Sequence, residues 1–442
     1  MIPTSGLHID QAPPINIPFR YFGTAPIFLI LAGLFTILWP EVLFETPLMP
    51  ESIALAHTLM LGWVTMVMFG ALYQMIPVLA GLPVDHIGWA RWNHVLLVIG
   101  VAALVVEFLF SLHPWLLLVA TFGLGPAILL FLIQILKTLF KAPAKHPTVM
   151  GMRLSTGFLA LTYMLGITFL GEYAHGFFDV DRVAMLGTHI IWGLLGWAGL
   201  MVLSVSFQVL PMFYMMPTFP EKTGKQILTG LTFSLLLMPA ILFRYPDQAM
   251  PLLIASLPAV ISLLHYAKTV KDLYTNRRRK IIDATYRFWL LGFASGVIAL
   301  AVLALWPLYE EDLYRFLFGL FYIVGFLSAI IIGMLYKIIP FLVWFHRFST
   351  FAGLADIPLM DDLYSEKRAN IHLIIHIIAL TTMALYLAIN WMPFAYIGGV
   401  GLMLSGGMAL HALWFAVKHH APEGLEMPDF ASFFKDMPPP PT

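Results

Sequence analysis

Cysteine is absent from this sequence of 442 residues. Disulfides, thiolate metal sites, iron–sulfur clusters and covalently attached c-type haem all need cysteine, so each is excluded. Charge is also scarce, because only 11% of the residues are charged, whereas an average soluble domain has roughly 25%. The formal net charge is zero and no basic domain stands apart. Nucleic acid is therefore excluded as a partner.

Hydrophobic residues are abundant instead and make up 60% of the chain. Apolar runs of about 20 residues recur along its whole length, and such a run crosses a bilayer core as one helix. Run length and helix breakers predict an all-α polytopic protein in a lipid bilayer. The twelve predicted helices lie at about 21–40, 53–80, 93–112, 115–137, 154–172, 183–215, 226–243, 249–268, 286–307, 314–345, 371–391 and 393–418.

The distribution of basic residues predicts the orientation. An even number of spans puts both termini on one side, and the loops on that side hold most of the lysines and arginines, including the run at 277–280. The opposite loops hold Arg182, Arg244 and Arg315. Because Lys and Arg stay cytoplasmic during insertion, both termini are predicted inside a bacterial-type inner membrane. Residues 1–20 lack a signal-peptide core, and the proline-rich residues 421–442 are predicted to be a flexible cytoplasmic tail.

Three stretches of the sequence share one pattern. They read LGWVTMVMFGALYQMIP at 61–77, LGWAGLMVLSVSFQVLP at 195–211 and VGFLSAIIIGMLYKIIP at 324–340. In each, a Gly-aromatic pair precedes a proline by a fixed interval. The pattern predicts three consecutive four-helix units at approximately 15–147, 148–280 and 281–420. Because small residues let membrane helices approach closely, the second helix of each unit is predicted to form an inner set.

Twelve helices in three quasi-equivalent groups of four resemble subunit I of the haem–copper oxidases and their nitric oxide reductase relatives. The stretch from His57 to Pro77 is similar to the reductase branch, where a histidine begins a helix that ends in Gly-Ala, Tyr and Pro. The residues that follow, through Asn93, resemble the oxidase run of proline, glycine, proline-aspartate, arginine and asparagine: Pro77, Gly81, Pro83, Val84, Asp85, Arg91 and Asn93. A further likeness, to the NnrS-type membrane haem proteins, rests on helix count and scattered histidines.

The sequence also departs from that family. Helix 10 of the family carries a His-x-His pair, and Phe318 and Leu320 stand at the corresponding height here. The paired copper histidines of the family would fall on helix 7, but residues 226–243 contain no histidine. The resemblance therefore implies a redox protein without the standard haem–copper centre, and not a conventional terminal oxidase.

Two histidines lie at similar depth in neighbouring inner helices. His57 and His189 precede the shared prolines by 20 and 22 positions, a difference of about 3 Å along a helix. An ionisable residue inside a span is a functional hypothesis by default, and imidazole is the usual axial ligand of b-type haem. We predict that His57 and His189 bind haem b, with Trp63 and Trp197 stacking on the porphyrin. The alternative is that each imidazole caps a carbonyl or lines a polar pocket.

A second group of histidines is predicted near the cytoplasmic side. His372 and His376 lie four residues apart, on one face of helix 11, and His411 lies at comparable depth in helix 12. These three residues are candidate ligands of a transition metal or a second haem, and headgroup contact is the alternative. Two further polar residues are predicted inside spans: Lys337 either snorkels to the headgroups or relays protons, and Glu107 has no obvious basic partner.

The function predicted from these features is that of an inner-membrane b-type haem protein in electron transfer or in nitric oxide or oxygen redox chemistry. Its expected partners are other respiratory subunits or a periplasmic electron donor. Two alternatives stay open. One is a haem-free partner or assembly subunit of a respiratory complex. The other is a membrane carrier of copper, because Met212, Met215 and Met216 cluster and thioethers favour Cu(I), although methionines in such chains mostly pack.

Overall fold

The computed structural model describes residues 12–142, 146–175, 182–245, 248–309, 311–352 and 356–419. Every regular element in these ranges is a helix. Twelve of the helices are long and apolar enough to cross a membrane. The prediction of an all-α polytopic membrane protein is therefore confirmed. The predicted tail at 421–442 lies outside the described residues.

The twelve spans are numbered here in chain order. They are α1 Asn16–Leu38, α2 Pro50–Leu79, α3 Trp89–Phe110, α4 Trp115–Lys141, α5 Pro147–Tyr173, α6 Val183–Tyr214, α7 Glu221–Arg244, α8 Met250–Thr275, α9 Ala284–Trp306, α10 Asp312–Arg347, α11 Glu366–Ile389 and α12 Met392–Val417. A one-turn helix at Pro40–Leu43 and short 3₁₀ turns at Ser349–Phe351 and Met360–Leu363 lie between spans.

Several helices extend beyond the apolar runs from which they were predicted. Helix α11 begins at Glu366, five residues before the predicted start, because Ser365 caps it by accepting a hydrogen bond from the Arg368 N–H at 3.4 Å. Helix α5 similarly begins at Pro147, and proline suits the first turn of a helix. Hydropathy marks the part of a helix inside the hydrocarbon, whereas caps and breakers decide where the backbone stops being helical.

The first and last spans pack against each other. At their crossing, a Cβ on Gly399 of α12 would lie 2.7 Å from the Gly33 carbonyl oxygen of α1, so these backbones are in direct contact. At the end of the bundle where α1 begins and α12 ends, Arg347 of α10 donates to the carbonyl of His419 at 2.6 Å. We call this the terminal end of the bundle. Which side of the membrane it faces stays a prediction.

Helices α2, α6 and α10 share an unusual backbone feature. Each contains a π-helical segment of eight or nine residues that spans the Gly-aromatic pair, at Thr58–Thr65, Ile191–Gly199 and Leu320–Ser328. π-Helices are rare, usually occupy a single turn, and are frequent at functional sites. The three helices that the sequence pattern aligned therefore also share a distortion at the aligned position, while the boundaries of the predicted units stay a prediction.

The same three helices are joined to one another at one depth. The Trp63 indole of α2 donates to the Ser328 hydroxyl of α10 at 2.9 Å, and the Trp197 indole of α6 donates to the Thr65 hydroxyl of α2 at 3.0 Å. In both cases the acceptor lies two residues after the Gly-aromatic pair of its own helix. Helices α2, α6 and α10 therefore meet through hydrogen bonds between π-helical segments.

Helix α6 differs from α2 and α10 at the position of the acceptor hydroxyl. Gly199 of α6 stands where the other two helices carry Thr65 and Ser328, and it leaves room for the hydroxyl of Tyr322 from α10. That hydroxyl donates to the Leu194 carbonyl at 3.1 Å. A tyrosine from the neighbouring helix thus replaces the missing hydroxyl. We call Trp63, Ser328, Trp197, Thr65 and Tyr322 the central hydrogen-bond group.

Candidate metal centre

His57 and His189 face each other between α2 and α6. His57 is the last residue before the π-helical segment of α2, and His189 lies two residues before that of α6. The centres of the two imidazole rings are 6.4 Å apart, and the ring planes make an angle of 29°. The structure therefore brings together the two residues that the sequence analysis paired. Whether they bind a metal stays a prediction.

Both rings have the same hydrogen-bonding pattern. His57 Nδ1 bonds to the carbonyl of Ile53 at 2.8 Å, and His189 Nδ1 bonds to the carbonyl of Thr162 at 3.2 Å. A carbonyl only accepts, so Nδ1 carries the proton in each ring and Nε2 keeps its lone pair. Neither Nε2 atom has a hydrogen-bond partner among the described residues. Histidines that ligate metals usually bond in this way through their second nitrogen.

The distance between the rings is suited to one metal between them. Metal–imidazole bonds are about 2.0–2.1 Å, and the ring centre lies about 1.1 Å beyond the nitrogen, so ligands on opposite sides of an ion have ring centres about 6.3 Å apart. At a tetrahedral angle the same bonds bring the ring centres to about 5 Å. The observed 6.4 Å between the ring centres would therefore allow His57 and His189 to hold one metal ion between them.

Helix α5 forms one wall of this site, which the sequence analysis did not predict. Besides the Thr162 carbonyl, Phe169 packs edge-on to His189 with ring centres 5.7 Å apart. A Cβ on Gly166 would lie 3.4 Å from His189 Cε1, so this position of α5 is adjacent to the ring. The spacing of Thr162, Gly166 and Phe169 places them on one helix face, and this i, i+4, i+7 pattern is the signal that the sequence offered.

Trp63 and Trp197 lie in the interior between the inner helices. Their exposed fractions are 0% and 2%, and their indole N–H groups belong to the central hydrogen-bond group. Trp197 also packs edge-on to Phe69 and Phe131, with ring centres 6.0 and 6.3 Å away. The structure thus gives both indoles a packing role, and their contact with a porphyrin stays a prediction.

His372 and His376 of α11 are fully buried, with no exposed side-chain surface. Headgroup contact is therefore wrong for both. They share the Ser405 hydroxyl of α12, at 2.7 Å from His372 Nε2 and 3.1 Å from His376 Nδ1. The other nitrogens bond to the Tyr336 hydroxyl (His372 Nδ1, 3.0 Å) and the Val324 carbonyl (His376 Nε2, 2.9 Å). Each ring nitrogen of the pair therefore has a partner within the protein.

His411 is separated from this pair. Its Nε2 lies 3.2 Å from an Arg368 nitrogen, and its ring packs beside Trp414 and Phe415. Within the described ranges, no group of three or more His, Cys, Asp or Glu side chains is placed to hold a metal ion. The structure therefore does not assemble the predicted group of three histidines, and His411 lies beside Arg368 instead.

Lys337 forms an ion pair near the terminal end. The alternative that it extends to the headgroups is therefore wrong. Its ammonium lies 2.8 Å from the Asp283 carboxylate, and the side chains are 11% and 5% exposed. Burial by itself raises the pKa of Asp283, but the hydrogen bond and charge of Lys337, the Tyr286 N–H and the Arg279 charge outweigh it. The net result is a pKa below the ordinary value of an aspartate, so this carboxylate is charged at neutral pH.

Glu107 and the methionine cluster have structural roles in the described chain. The Glu107 carboxylate accepts the His113 N–H at 3.0 Å and closes the turn after α3. Met215 ends α6 in the left-handed conformation, and Met216 packs against the apolar cluster around Tyr214. Neither observation adds a ligand to the candidate site.

No protein-family model matches this sequence, and no curated protein matches it. The geometry of the chain's own residues is therefore the basis on which its function is inferred.

Proposed function

We propose that this protein is a membrane haem protein that holds b-type haem through His57 and His189 and acts in electron transfer. The observation that carries the proposal is the 6.4 Å separation of the two imidazole centres. Both rings donate through Nδ1 to carbonyls, so Nε2 is the available donor atom in each. Two neutral imidazoles are a donor set that b-type haem takes without any cysteine.

The residues around His57 and His189 define what the protein would contribute to the chemistry of a bound haem. The Ile53 and Thr162 carbonyls hold each ring in one tautomer and make its Nε2 more electron-donating. Phe169 of α5 packs edge-on to His189, and apolar surroundings of this kind affect the reduction potential of a bound iron. Haem itself supplies the one-electron chemistry. The chain would therefore contribute the two ligands, their orientation and an apolar wall from α5.

Electron transfer is better supported than substrate reduction at the same iron. If His57 and His189 both held the iron, they would favour electron transfer over binding of a small molecule such as oxygen or nitric oxide, because catalytic metals keep a ligand position open. The α10 positions of the family's His-x-His pair are packed here, since Leu320 is buried and Phe318 stacks on Tyr322 at 5.4 Å. A fold similar to oxidase subunit I, without the copper centre, is consistent with electron transfer.

A reduced-minus-oxidised absorption spectrum of the purified protein tests the proposal. We expect sharp b-type haem bands in the wild type, and loss of haem or a change to a high-spin spectrum in His57→Ala and His189→Ala, because each variant removes one of the two residues that would hold the haem. His265→Ala is the matched control, since His265 is an exposed histidine of α8, and its spectrum should equal that of the wild type.

The alternatives give different results in the same preparation. A protein without haem but with stoichiometric copper by metal analysis would support a metal carrier. A protein with neither would support a structural or assembly subunit of a larger complex. Haem that persists unchanged in both ligand variants would reject the ligand assignment.

A further inference from the structure

A continuous exposed stripe runs along α8. A smaller share of α8 is buried than of any other span in the described chain. Four apolar side chains at intervals of three or four residues share one face of the helix and are 52–66% exposed: Ile254, Leu257, Ile261 and Leu264. Lys268 and Lys271 continue the same face and are exposed. We call these six residues the α8 stripe, which changes from apolar to basic toward the terminal end.

The dimensions of the α8 stripe match one leaflet of a bilayer. From Ile254 to Leu264 the helix rises about 15 Å, which is half of a hydrocarbon core about 30 Å thick. Lys268 lies about 6 Å farther along the helix, within a headgroup region of about 5–7 Å on each side. A lysine also extends its ammonium toward the headgroups. An acyl chain along the apolar part would therefore place its phosphate beside the two lysines.

The segment that contains and follows these lysines has an excess of positive charge. Residues 268–280 include six basic residues, which are the two lysines and the run at 277–280, and one acidic residue, Asp272. Among the described residues, no carboxylate pairs with Lys268, Lys271, Arg278 or Lys280. Several other lysines at this end have acidic partners: Lys137 and Lys141 pair with Asp85, Lys225 with Glu221 and Lys337 with Asp283. The chain thus leaves much of the charge of this segment without a counter-charge.

Contacts with three helices hold the basic run in place. The guanidinium carbon of Arg277 lies 3.6 Å from the centre of the Tyr274 ring, and Nη1 donates to the Tyr274 carbonyl at 3.0 Å. Tyr274 stacks on Tyr286 of α9, with ring centres 4.9 Å apart. The Arg278 N–H donates to the Met215 carbonyl at the end of α6 at 3.0 Å, whereas its side chain is exposed. The run is therefore fixed at the junction of α6, α8 and α9.

An apolar face that leads to unpaired positive charge is complementary to a lipid with net negative charge. Insertion accounts for basic residues at a cytoplasmic end, but it does not require them to be unpaired and in line with an exposed apolar face. A soluble acidic partner would leave the apolar part uncovered, and clusters of Lys and Arg next to a span attract anionic lipids. We propose that the α8 stripe and the run at 277–280 bind an anionic phospholipid, with its phosphate at the basic residues and its acyl chains along the apolar ones.

Native mass spectrometry of the purified, delipidated protein tests this site, with phosphatidylglycerol as the probe. The wild type should bind phosphatidylglycerol more tightly than phosphatidylcholine with the same acyl chains, because the choline cation cancels the phosphate charge. Lys268→Gln/Lys271→Gln should weaken the binding of phosphatidylglycerol about 30-fold, which corresponds to about 1 kcal/mol for each lysine near the membrane surface.

Lys222→Gln/Lys225→Gln on α7 is the matched control. It removes the same charge at the same end of the bundle, but Lys225 already has Glu221 at 3.8 Å. The control should keep most of the wild-type affinity for phosphatidylglycerol, since charges elsewhere on the surface are screened. Both double variants replace solvent-accessible side chains, so both should unfold like the wild type in phosphatidylcholine.

Three results would reject the proposal. The first is equal affinity of the wild type for phosphatidylglycerol and phosphatidylcholine. The second is an equal loss of affinity in the two double variants, which would show that only the overall charge of this end matters. The third is displacement of the lipid at equal concentration by glycerol phosphate, which would assign the site to a soluble phosphate, or by hexaglutamate, which would assign it to an acidic protein. None of these results bears on the spectrum of His57→Ala, so the haem proposal and the lipid proposal fail separately.

Discussion

The hydrogen bond made by one ring nitrogen decides which nitrogen each histidine within a span has left to accept a proton or to bind a metal. In His57 and His189, Nδ1 donates to a carbonyl and leaves the outer nitrogen free as a metal donor. In His376, Nε2 donates to the Val324 carbonyl, and Nδ1 is left to accept from Ser405. The same side chain thus has a ring nitrogen without a hydrogen-bond partner in one place and both nitrogens bonded in the other. The carbonyl that each ring reaches makes the difference.

Replacing Asp283 with asparagine should destabilise the protein strongly. Asp283→Asn leaves the largely buried ammonium of Lys337 without its counter-charge, and breaking such a pair costs about 3 kcal/mol or more. Thermal unfolding in detergent measures the loss. Asp85→Asn is the control, because Asp85 pairs with Lys137 and Lys141 at an exposed position, where ion pairs contribute little. Equal unfolding temperatures of Asp283→Asn and wild type would contradict the prediction.

Low pH should remove the stabilisation that the ion pair of Asp283 with Lys337 provides. The folded-state pKa of Asp283 is lowered, so its stabilising effect is fully present above the unfolded pKa of about 3.9 and is lost as the pH falls through the folded value. The wild type should therefore lose more stability between neutral pH and pH of about 3 than Asp283→Asn does. Parallel pH profiles of the two proteins would show that the pair does not titrate in this way.

Trp63→Phe separates a packing role from a porphyrin contact. The variant removes the indole donor to the Ser328 hydroxyl, which should cost about 1–2 kcal/mol of stability. The spectrum of bound haem should stay unchanged, because the indole lies in the central hydrogen-bond group. A shifted spectrum with unchanged stability would instead favour the stacking that the sequence suggested. The haem spectrum and the unfolding temperature are both measured on one preparation, by absorption during thermal unfolding.

At the level of elements, the π-helical segments distinguish the three inner helices from the other spans. Their position at the Gly-aromatic pairs brings α2, α6 and α10 together through indole and hydroxyl groups. A π-helical turn also displaces the residues around it relative to a regular helix. His57 lies one residue and His189 two residues before such a segment.

Gly199→Ala tests how closely these segments pack. A methyl group at Gly199 would overlap the Tyr322 hydroxyl, so we expect a large loss of stability. Tyr322→Phe in the same chain should restore much of that loss, because only the hydroxyl is in the way. Gly407→Ala on α12 is the control, since its Cβ would meet open space, and it should be neutral or slightly stabilising. No rescue by Tyr322→Phe would contradict this account.

At the level of the whole molecule, the spans form one closed bundle in which α1 contacts α12. The orientation of this bundle in the membrane was predicted from the loops alone. Because the chain has no cysteine, single cysteines report on each side without background.

Lys222→Cys lies at the terminal end and His113→Cys at the other end, and both positions are exposed. In whole cells a membrane-impermeant maleimide should label His113→Cys and spare Lys222→Cys, if the terminal end is cytoplasmic. Labelling of both after the membrane is permeabilised shows that each site is reactive. The reverse pattern in whole cells would contradict the predicted orientation.

The sequence by itself determined the number and approximate limits of the spans, because a helix must match the hydrocarbon thickness and that requirement is local in the chain. It also paired His57 with His189, because the shared prolines provide a common measure of depth. Only the tertiary structure decided the direction of each side chain. Helix α11 is apolar on every side, so nothing in its pattern shows that His372 and His376 point inward. The carbonyls that select their tautomers come from other residues, and those contacts depend on how the helices rotate against one another.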